Sequence, residues 1–241
     1  MSHALLGPSF DIHGGGQDLM FPHHENEMAQ SQSLYGSSSF ARYWLHIGLL
    51  TVNGQKMSKS LGNFLTVKDL RQKAPGEVLR LALLSTHYRQ NLDWTDDSIV
   101  RAKATLDRFY RALEGFKGEG QPSDLVLKAL NDDLNIPQAL TYLHDIVHKI
   151  YQEKDEKTKT LLQGQLKASA LLLGLLEESV SAWFQTPDAS LSRSHIEDLL
   201  TKRHMARSQG DFKEADRIRA YLLTMNIIIE DTPLGSTWRM K

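Results

Sequence analysis

The chain of 241 residues contains no cysteine, and no apolar run in it approaches the roughly 18 residues that a membrane-spanning helix needs. Without cysteine there are no disulfide bonds and no thiolate ligands, so a zinc ion held by this chain alone must use His, Asp or Glu. The N-terminus also lacks the basic, apolar and small-residue order of a signal peptide. We therefore expect a cytoplasmic protein without a membrane partner.

The chain has almost no net charge either, with a formal value of −1. With 41% hydrophobic and 24% charged residues, the composition is that of a globular protein of one to three domains. Residues 56–117 nevertheless hold 12 Lys and Arg against 7 Asp and Glu. This basic middle can lie along a phosphate backbone, or it can be an ordinary solvated helical surface.

The first part of the chain has the pattern of an α/β sheet. FDIHGGGQDL, residues 10–19, predicts a short strand that runs into a glycine-rich loop. Pro22 predicts the first position of a helix that Gly36 ends, and WLHIGLLTV, residues 44–52, predicts a second strand. A strand, a loop and a helix in this order indicate part of an α/β sheet.

From residue 66 the pattern is mostly helical, with apolar residues at helical spacing. The spacing of apolar residues in the middle helices predicts an up-and-down bundle. In the C-terminal part, the pattern predicts two short helices, broken at Gly210-Asp211, and then a small hairpin. GEGQPS and TPDASLSRS predict linkers. The predicted helices before the second linker are 76–88, 95–116, 123–132, 136–152 and 157–178. The fold class expected is α/β plus mostly α.

FPHHENE, residues 21–27, places two histidines and two glutamates close together. His23 and Glu27 are four residues apart on a predicted helix, so both side chains project from one face and can bind one metal ion. Two ligands do not complete a tetrahedral site. A surface or capping role is the alternative.

Two further stretches are typical of phosphate and nucleotide chemistry. In HGGGQD, residues 13–18, the glycines let the backbone approach a ligand, and Asp18 can accept hydrogen bonds from a ribose; a plain tight turn is the alternative. In KMSKS, residues 56–60, Lys56 and Lys59 can bring two ammonium groups onto a triphosphate while a mobile loop closes. The alternative for KMSKS is a solvated lysine loop.

FDIHGGGQDLMFPHHENE, KMSKSLGN and STHYR, in this order, resemble cysteinyl-tRNA synthetase, a class I aminoacyl-tRNA synthetase. The similarity extends from Met1 to Lys241, through the helical bundle to the terminal stretch TPLGSTWR. It implies a monomeric ATP-dependent cysteine–tRNA ligase whose partners are ATP, cysteine and cysteine tRNA. The domains implied are the C-terminal part of a Rossmann catalytic domain with the KMSKS loop (1–65), a stem-contact helical region (66–117), a DALR-like tRNA-binding helical bundle (118–185) and a small α+β anticodon-binding domain (190–241).

The resemblance also implies roles for individual residues. His23 and Glu27 match zinc ligands, and zinc in the family binds the thiolate of the substrate cysteine, a soft ligand that distinguishes cysteine from serine. Lys59 matches the residue that contacts ATP, and Lys56 closes on the phosphates with the loop. The adenosine part is bound at the glycine-rich run and the acid after it, namely Gly14, Gly15 and Asp18.

In the C-terminal part the resemblance implies anticodon reading by Arg207, Asp216 and Asp231. Trp238 lies beside them in the sequence pattern, where its ring can stack on a base. An ordinary small domain held together by salt bridges is the alternative.

The family also has features that this sequence lacks, namely the His-Ile-Gly-His adenylation motif and two cysteine zinc ligands. FPHHENE is therefore expected to form half of a zinc site, and we predict that the isolated chain does not form adenylate. Three accounts stay open: a fragment of the synthetase, one half of a split enzyme that needs the missing N-terminal half, or a non-catalytic tRNA-binding module using residues 66–241.

Overall fold

The computed structural model describes residues 2–185, 193–225, 227–232 and 235–240. The chain divides into two compact units, one formed by residues 1–108 and 118–175, the other by residues 109–117 and 176–241. Along the described stretches, no helix has the length and apolar composition that crossing a bilayer requires.

A β-α-β segment begins the first unit. Its elements are α1 (Ser2–Leu6), β1 (Ser9–Gly16), α2 (Glu25–Tyr35) and β2 (Phe40–Ile47). The two strands pair in parallel from Ser9↔Phe40 to Gly16↔Ile47, as a helical crossover allows. Helix α2 ends at Gly36 as predicted, since Gly36 has φ 95°.

The start of α2 and the end of β1 differ from the sequence-based predictions. The helix begins at Glu25 rather than at Pro22, because Phe21 is extended and interrupts a separate wide turn over Met20–His24. The prediction of a glycine-rich loop was wrong for Gly14 and Gly15, which lie in β1 and pair with β2. Strand β1 continues through these glycines because β2 supplies main-chain partners along its whole length.

The sheet of β1 and β2 has only two strands in the described chain. Several of its apolar side chains face solvent, with Ile12 66%, Tyr43 69% and Ile47 48% exposed. Parallel sheets in proteins are usually larger and covered on both faces. The described residues therefore leave this sheet with apolar surface that they do not cover.

The single strand predicted at 44–52 was wrong, because Gly48 divides it between two sheets. A Cβ at Gly48 would lie 2.1 Å from the carbonyl oxygen of Gln90, and the Gly48 N–H donates to the Tyr88 carbonyl at 2.7 Å. The second sheet has the order β4-β3-β5, with β3 parallel to β5 and antiparallel to β4. Its strands are β3 (Leu50–Val52), β4 (Gln55–Lys56) and β5 (Leu92–Trp94).

Six helices follow in the order α3 to α8, and α5 runs from the first unit into the second. Asn135 and Asp155 cap α7 and α8 by accepting hydrogen bonds from the main-chain N–H groups three residues on. Fully buried residues of the bundle include Val126, Leu143 and Leu166. The bounds are α3 Val67–Leu70, α4 Gly76–Leu84, α5 Asp96–Ala112, α6 Asp124–Asn131, α7 Ile136–Gln152 and α8 Glu156–Leu171.

Three predicted helices were too long at their C-terminal ends, and the one predicted to Phe116 ends at Ala112. The helix predicted to Tyr88 ends at Leu84, before the polar segment STHYR. The helix predicted to residue 178 ends at Leu171, because Gly174 and Leu176 both have positive φ, a conformation that ends an α-helix. The helices predicted at 123–132 and 136–152 are confirmed to within one residue.

The second unit contains the end of α5 and the C-terminal elements. The two helices broken at Gly210 and the antiparallel hairpin are confirmed. Their elements are α9 Val180–Phe184, α10 Arg193–Ser208, α11 Phe212–Thr224, β6 Ile227–Thr232 and β7 Gly235–Met240. Residues from both helices and both strands form one buried apolar core, namely Ile196, Leu200, Ile218, Leu222, Ile227, Ile229 and Trp238.

The four-domain organisation predicted from the sequence stays a prediction. Most of the linker predicted at 186–194 lies outside the described residues, and with it the start of the predicted domain 190–241. The turn predicted within DTPLG also falls partly on residues outside the description.

Candidate functional site

His23 and Glu27 lie close together, as their spacing predicts, and His13 joins them. Glu27 projects from the first turn of α2, and its Oε2 atom is 3.6 Å from His23 Nε2. The Nε2 atom of His13, which belongs to β1, is 3.4 Å from the same oxygen. Strand β1, the turn Met20–His24 and helix α2 thus bring one carboxylate and two imidazoles together.

Glu27 provides the test of whether these residues fit a metal ion. Its Oε2 atom is buried and has no hydrogen-bond partner among the described residues, which is a costly state for a carboxylate oxygen. Ligand atoms of His13, His24 and Glu27 lie within 4.8 Å of one another. A cation between these atoms would compensate the buried oxygen, and zinc accepts this combination of nitrogen and oxygen ligands.

His24 is the buried member of this cluster, with 4% of its surface exposed. Its Nδ1 and the Nε2 of His46 are 2.9 Å apart, so one of the two nitrogens donates to the other. Burial lowers the pKa of His24, and the nearby His13 lowers it further. A neutral imidazole whose second nitrogen is held by a partner is the form that binds metal ions.

Gly15 makes room for His24. A Cβ at this position would lie 2.6 Å from His24 Cε1 and 2.9 Å from its Nε2, whereas a Cβ at Gly14 would meet the Leu45 carbonyl oxygen at an ordinary 3.6 Å. The glycine run predicted for nucleotide binding thus also has a packing role. Asp18 is exposed in the 3₁₀ turn Gln17–Leu19 directly after the run.

The KMSKS segment leaves β4 and forms a loop that Asn63 closes. The Asn63 side chain accepts from the Ser58 main-chain N–H at 2.9 Å and donates to the Lys56 carbonyl at 3.2 Å. Lys56 and Lys59 are both exposed, and Lys59 Nζ lies 5.6 Å from the Phe64 ring centroid. Neither lysine has a carboxylate partner in the part of the chain that the structure describes. Both ammonium groups are therefore accessible to an anion.

In the second unit, Asp231 is held by two arginines. Arg203 donates to both its carboxylate oxygens at 2.8 and 2.9 Å, and Arg207 donates to Oδ2 at 2.8 Å. Ser236 donates to Oδ1 at 2.6 Å. Hydrogen bonds from Arg203 and Ser236 lower the pKa of Asp231 far below its usual range. Asp216 is exposed on α11.

Trp238 does not have the position predicted for it. Only 4% of its surface is exposed, and its ring belongs to the apolar core of the second unit. Strand β7 pairs Trp238 with Ile229, which directs the ring toward α10 and α11 rather than toward solvent. The expectation that the Trp238 ring is available to stack on a base is therefore corrected. Burial of this large apolar ring in the core stabilises the second unit instead.

Several residues of these sites were missed in the sequence. His13 stands directly before the glycine run and His46 opposite Gly15 in the parallel register, but only the pairing of β1 with β2 brings them to His24. Asn63 lies within the KMSKSLGN stretch without a predicted role. Arg203, buried to 5% exposure, carried no signal beyond its four-residue spacing from Arg207.

Comparison with known protein families assigns three successive parts of the chain. Residues 1–104 match the model of the tRNA synthetases class I (C) catalytic domain. Residues 126–177 match the DALR domain, and residues 192–239 match the cysteinyl-tRNA ligase anticodon binding domain. The predicted fold class, part of a class I catalytic domain followed by helical and anticodon-binding regions, is confirmed.

Curated relatives agree with this assignment. The cysteine–tRNA ligase of Paramagnetospirillum magneticum is 50% identical over 247 residues, which cover 99% of this chain and 54% of that protein. The cysteine–tRNA ligase of Rhodospirillum rubrum is 47% identical, with the same coverage of both chains. The chain thus spans about half the length of the curated relatives that it matches.

Among solved structures, the LeuRS of Agrobacterium radiobacter K84, crystallised as a ternary complex with tRNA and LeuAMS, resembles the fold. Its TM-score is 0.56 at 18% identity, over 68% of this chain and 25% of that one. At this identity the likeness concerns the fold alone. The three domain models and the curated relatives lead to one conclusion: the chain belongs to the cysteine–tRNA ligase family and matches the C-terminal part of its members.

Proposed function

We propose that the chain contributes the zinc-binding helix and the phosphate-closing loop of an active site that joins cysteine to its tRNA with ATP. One observation carries the proposal. Within the described part of the chain, the Glu27 Oε2 atom is buried without a hydrogen-bond partner and lies 3.4 and 3.6 Å from two imidazole nitrogens. Carboxylates are rarely left in this state unless a ligand completes the site.

The side chains around Glu27 have separable tasks in this proposal. Glu27 holds the ion from α2, His23 from the turn directly before it, and His13 from β1. His24 is kept neutral by burial and oriented by His46, so it limits how the other imidazoles can turn. Zinc, when bound, is a Lewis acid with affinity for thiolates, which favours a cysteine substrate over serine. Because this chain has no cysteine, any further thiolate ligand belongs to protein outside it.

ATP is the proposed second substrate. Lys56 and Lys59 are exposed on a loop that Asn63 closes, and two ammonium groups at such a loop stabilise charge on transferring phosphates. Asp18 follows the glycines of β1, where its carboxylate can accept hydrogen bonds from a ribose. We propose that these groups bind the triphosphate and the adenosine, respectively.

The incomplete sheet supports the view that more protein completes the site. Strand β1 has one edge paired with β2 and the other edge unpaired within the described chain, and Ile12 on it is 66% exposed. Unpaired edges of parallel strands readily add further strands. We propose that strands carrying the family's His-Ile-Gly-His motif pair there, whether they belong to the same polypeptide or to another one.

Cysteine-dependent exchange of pyrophosphate into ATP tests the proposal. The chain is assayed with zinc, alone and after addition of a separately expressed polypeptide that carries the His-Ile-Gly-His motif and the two cysteines. We expect exchange only on mixing, and its loss in Lys59→Ala but not in the exposed control Lys68→Ala. Exchange by the chain alone would contradict the need for the second polypeptide. No exchange in any mixture would contradict the proposed function.

A second candidate function is tRNA binding without catalysis. The observation that favours it is the closed apolar core of the second unit, which needs no further chain to bury its side chains. Arg207, Asp216 and Asp231 are the proposed anticodon contacts, although Asp231 already accepts four hydrogen bonds. Binding of cysteine tRNA with no adenylate formation in any mixture would favour this candidate. For either function we propose a monomer that acts in the cytosol.

A further inference from the structure

Asp133, in the turn between α6 and α7, receives three consecutive side chains from the segment that follows α4. The Tyr88 hydroxyl donates to its Oδ1 at 2.5 Å, and Arg89 donates through Nε to Oδ2 at 2.6 Å and through Nη2 to Oδ1 at 3.1 Å. The His87 Nε2–H donates to the Asp133 carbonyl oxygen at 3.0 Å. These bonds tie the segment 87–89 to the helical bundle more than 40 residues away in sequence.

The turn that carries Asp133 has an unfavourable backbone. Asp133 and Leu134 both have φ of 52°, in the left-handed region that non-glycine residues seldom adopt. Such a conformation persists where contacts around it hold it in place. The bidentate guanidinium and the tyrosine hydroxyl supply such contacts, and they lower the pKa of Asp133 to about 2. Exposed ion pairs usually contribute little, but bidentate arginine geometry within a network is the exception.

Arg89 also contacts the candidate active site through its main chain. The Gln17 side-chain amide donates to the Arg89 carbonyl at 2.6 Å. Gln17 opens the turn Gln17–Leu19, which follows the glycines of β1 and carries Asp18. Arg89 and Gln17, together with Met20 and His46, line a cavity of about 390 Å³. One residue thus connects the bundle through its side chain with the glycine-rich segment through its carbonyl.

The segment around Arg89, residues 88–90, also contacts Gly48 at the end of β2. The Gly48 N–H donates to the Tyr88 carbonyl at 2.7 Å, and the close approach of Gly48 to Gln90 leaves no space for a side chain. Because β2 ends at Ile47, one residue after His46, the segment 88–90 also lies against the end of the sheet that carries the imidazole cluster. A shift of this segment therefore changes the cavity wall and the Gln17 turn together.

We propose that Arg89 and Asp133 are a positioning pair, which fixes the turn Gln17–Leu19 relative to the helical bundle. The bundle thereby sets the position of Asp18 and of the cavity wall beside His46. The catalytic meaning of this coupling rests on the proposed function, but the mechanical coupling does not. Neither Arg89 nor Asp133 is assigned a contact with substrate; both act through Gln17.

Hydrogen exchange on the whole 241-residue chain tests the coupling without any enzymatic assay. Asp133→Asn keeps the size of the side chain but removes its charge, and Asp132→Asn is the matched control on the neighbouring exposed residue. In Asp133→Asn we expect exchange of the amides in residues 17–20 to become about tenfold faster, with no change there in Asp132→Asn. Faster exchange confined to residues 85–90 and 131–136 would overturn the proposal, because it would show a purely local structural role.

A second variant covers the case in which Asp133→Asn does not fold. Gln17→Ala breaks the other end of the connection and leaves the Asp133 network intact. It is expected to speed exchange of residues 17–20 by a similar factor, and where both single variants fold, the double variant should add nothing further. Unchanged exchange of residues 17–20 in Gln17→Ala, or additive effects in the double variant, would overturn the proposed coupling. Absence of pyrophosphate exchange in the mixtures described above would contradict only the proposed function.

Discussion

Two carboxylates, one in each unit, lie beside cationic or potentially cationic side chains but differ in their hydrogen bonding. Asp231 accepts four hydrogen bonds, from Arg203, Arg207 and Ser236. The Glu27 Oε2 atom is buried and accepts none from the residues that the structure describes, although two histidine nitrogens lie within 3.6 Å. The hydrogen bonds of the first carboxylate are made within the chain, whereas the second fits the ligand position that the proposed function gives it.

The surroundings of the two carboxylates differ in the same way. Asp231 belongs to a unit whose helices and hairpin bury a shared apolar core. Glu27 lies on the helix that connects the two strands of a parallel sheet, in which Ile12 and Tyr43 are more than 60% exposed. A closed core accompanies a structural ion pair, and an open sheet accompanies a candidate metal site. The described residues thus enclose the surroundings of Asp231 and leave those of Glu27 open. This difference is what the proposed function requires.

The largest effect is expected at Glu27. In Glu27→Gln the charged ligand is lost, and zinc affinity should fall at least about 100-fold, beyond the 10- to 100-fold typical for changes of groups that only support a ligand. Competition with a chelator of known affinity measures the change. Glu25→Gln, on the exposed side of the same turn, is the control and should leave the affinity unchanged. Equal losses in both variants would show a general effect of charge instead of coordination.

The next effect is expected in the second unit. Arg203→Met should destabilise it by about 2 kcal/mol, less than the 3–5 kcal/mol for breaking a fully buried pair, because the Asp231 side chain is 45% exposed. The Arg203 Nε atom is buried without a hydrogen-bond partner among the described residues, so its removal by the substitution reduces the loss of stability further. Urea unfolding followed by hydrogen exchange of the amides in α10, α11, β6 and β7 measures it. The exposed Arg217, paired with Glu214, is the control, and Arg217→Met should change stability by less than about 0.5 kcal/mol. A similar cost for both arginines would show that burial does not separate the two pairs.

Gly15 allows a third, smaller perturbation. The Cβ of Gly15→Ala would meet the His24 ring at 2.6 Å and displace it, so we expect zinc affinity to fall about 10-fold. Gly14→Ala is the matched control in the same strand, since its Cβ lies 3.6 Å from the nearest atom. Metal titration of both variants makes the comparison. A larger loss in Gly14→Ala than in Gly15→Ala would refute the packing role of Gly15.

The smallest effect concerns pH. The pKa of Asp231 is lower in the folded protein than in the unfolded chain, so the stability that the Arg203 pair provides is present above about pH 4 and is lost as the pH falls below it. The difference in unfolding free energy between the original chain and Arg203→Met should therefore shrink between pH 5 and pH 3, a range of roughly one unit on either side of the ordinary carboxyl pKa. Urea titrations at several pH values measure it. A difference that stays constant over this range would show that Asp231 does not carry the effect.

Local sequence patterns predicted helices and strands best where their bounds depend only on residues close by in the sequence. The break between two helices at Gly210-Asp211 and the glycine that ends α2 were found because helix ends depend on neighbouring residues. The division of residues 44–52 between two sheets was not, because it depends on the approach of Gln90 to Gly48. A contact between residues 42 positions apart has no local sequence signal.

The candidate site shows the same limit. His23 and Glu27 were found from their spacing on one helix face, which needs no tertiary information. His13 and His46 came to the site only through the parallel register of β1 and β2. Trp238 was misjudged because an aromatic residue in an alternating strand faces either the core or the solvent, and the sequence near it does not decide which.

Zinc K-edge absorption on the purified chain tests the central claim, that Glu27 is a metal ligand position, most directly. The account predicts nitrogen and oxygen ligands at about 2.0–2.2 Å, and one additional sulfur at about 2.3 Å when cysteine but not serine is added. In Glu27→Gln both signals should be lost. Zinc with the same ligand shell in Glu27→Gln, or a shell that cysteine leaves unchanged, would contradict the account.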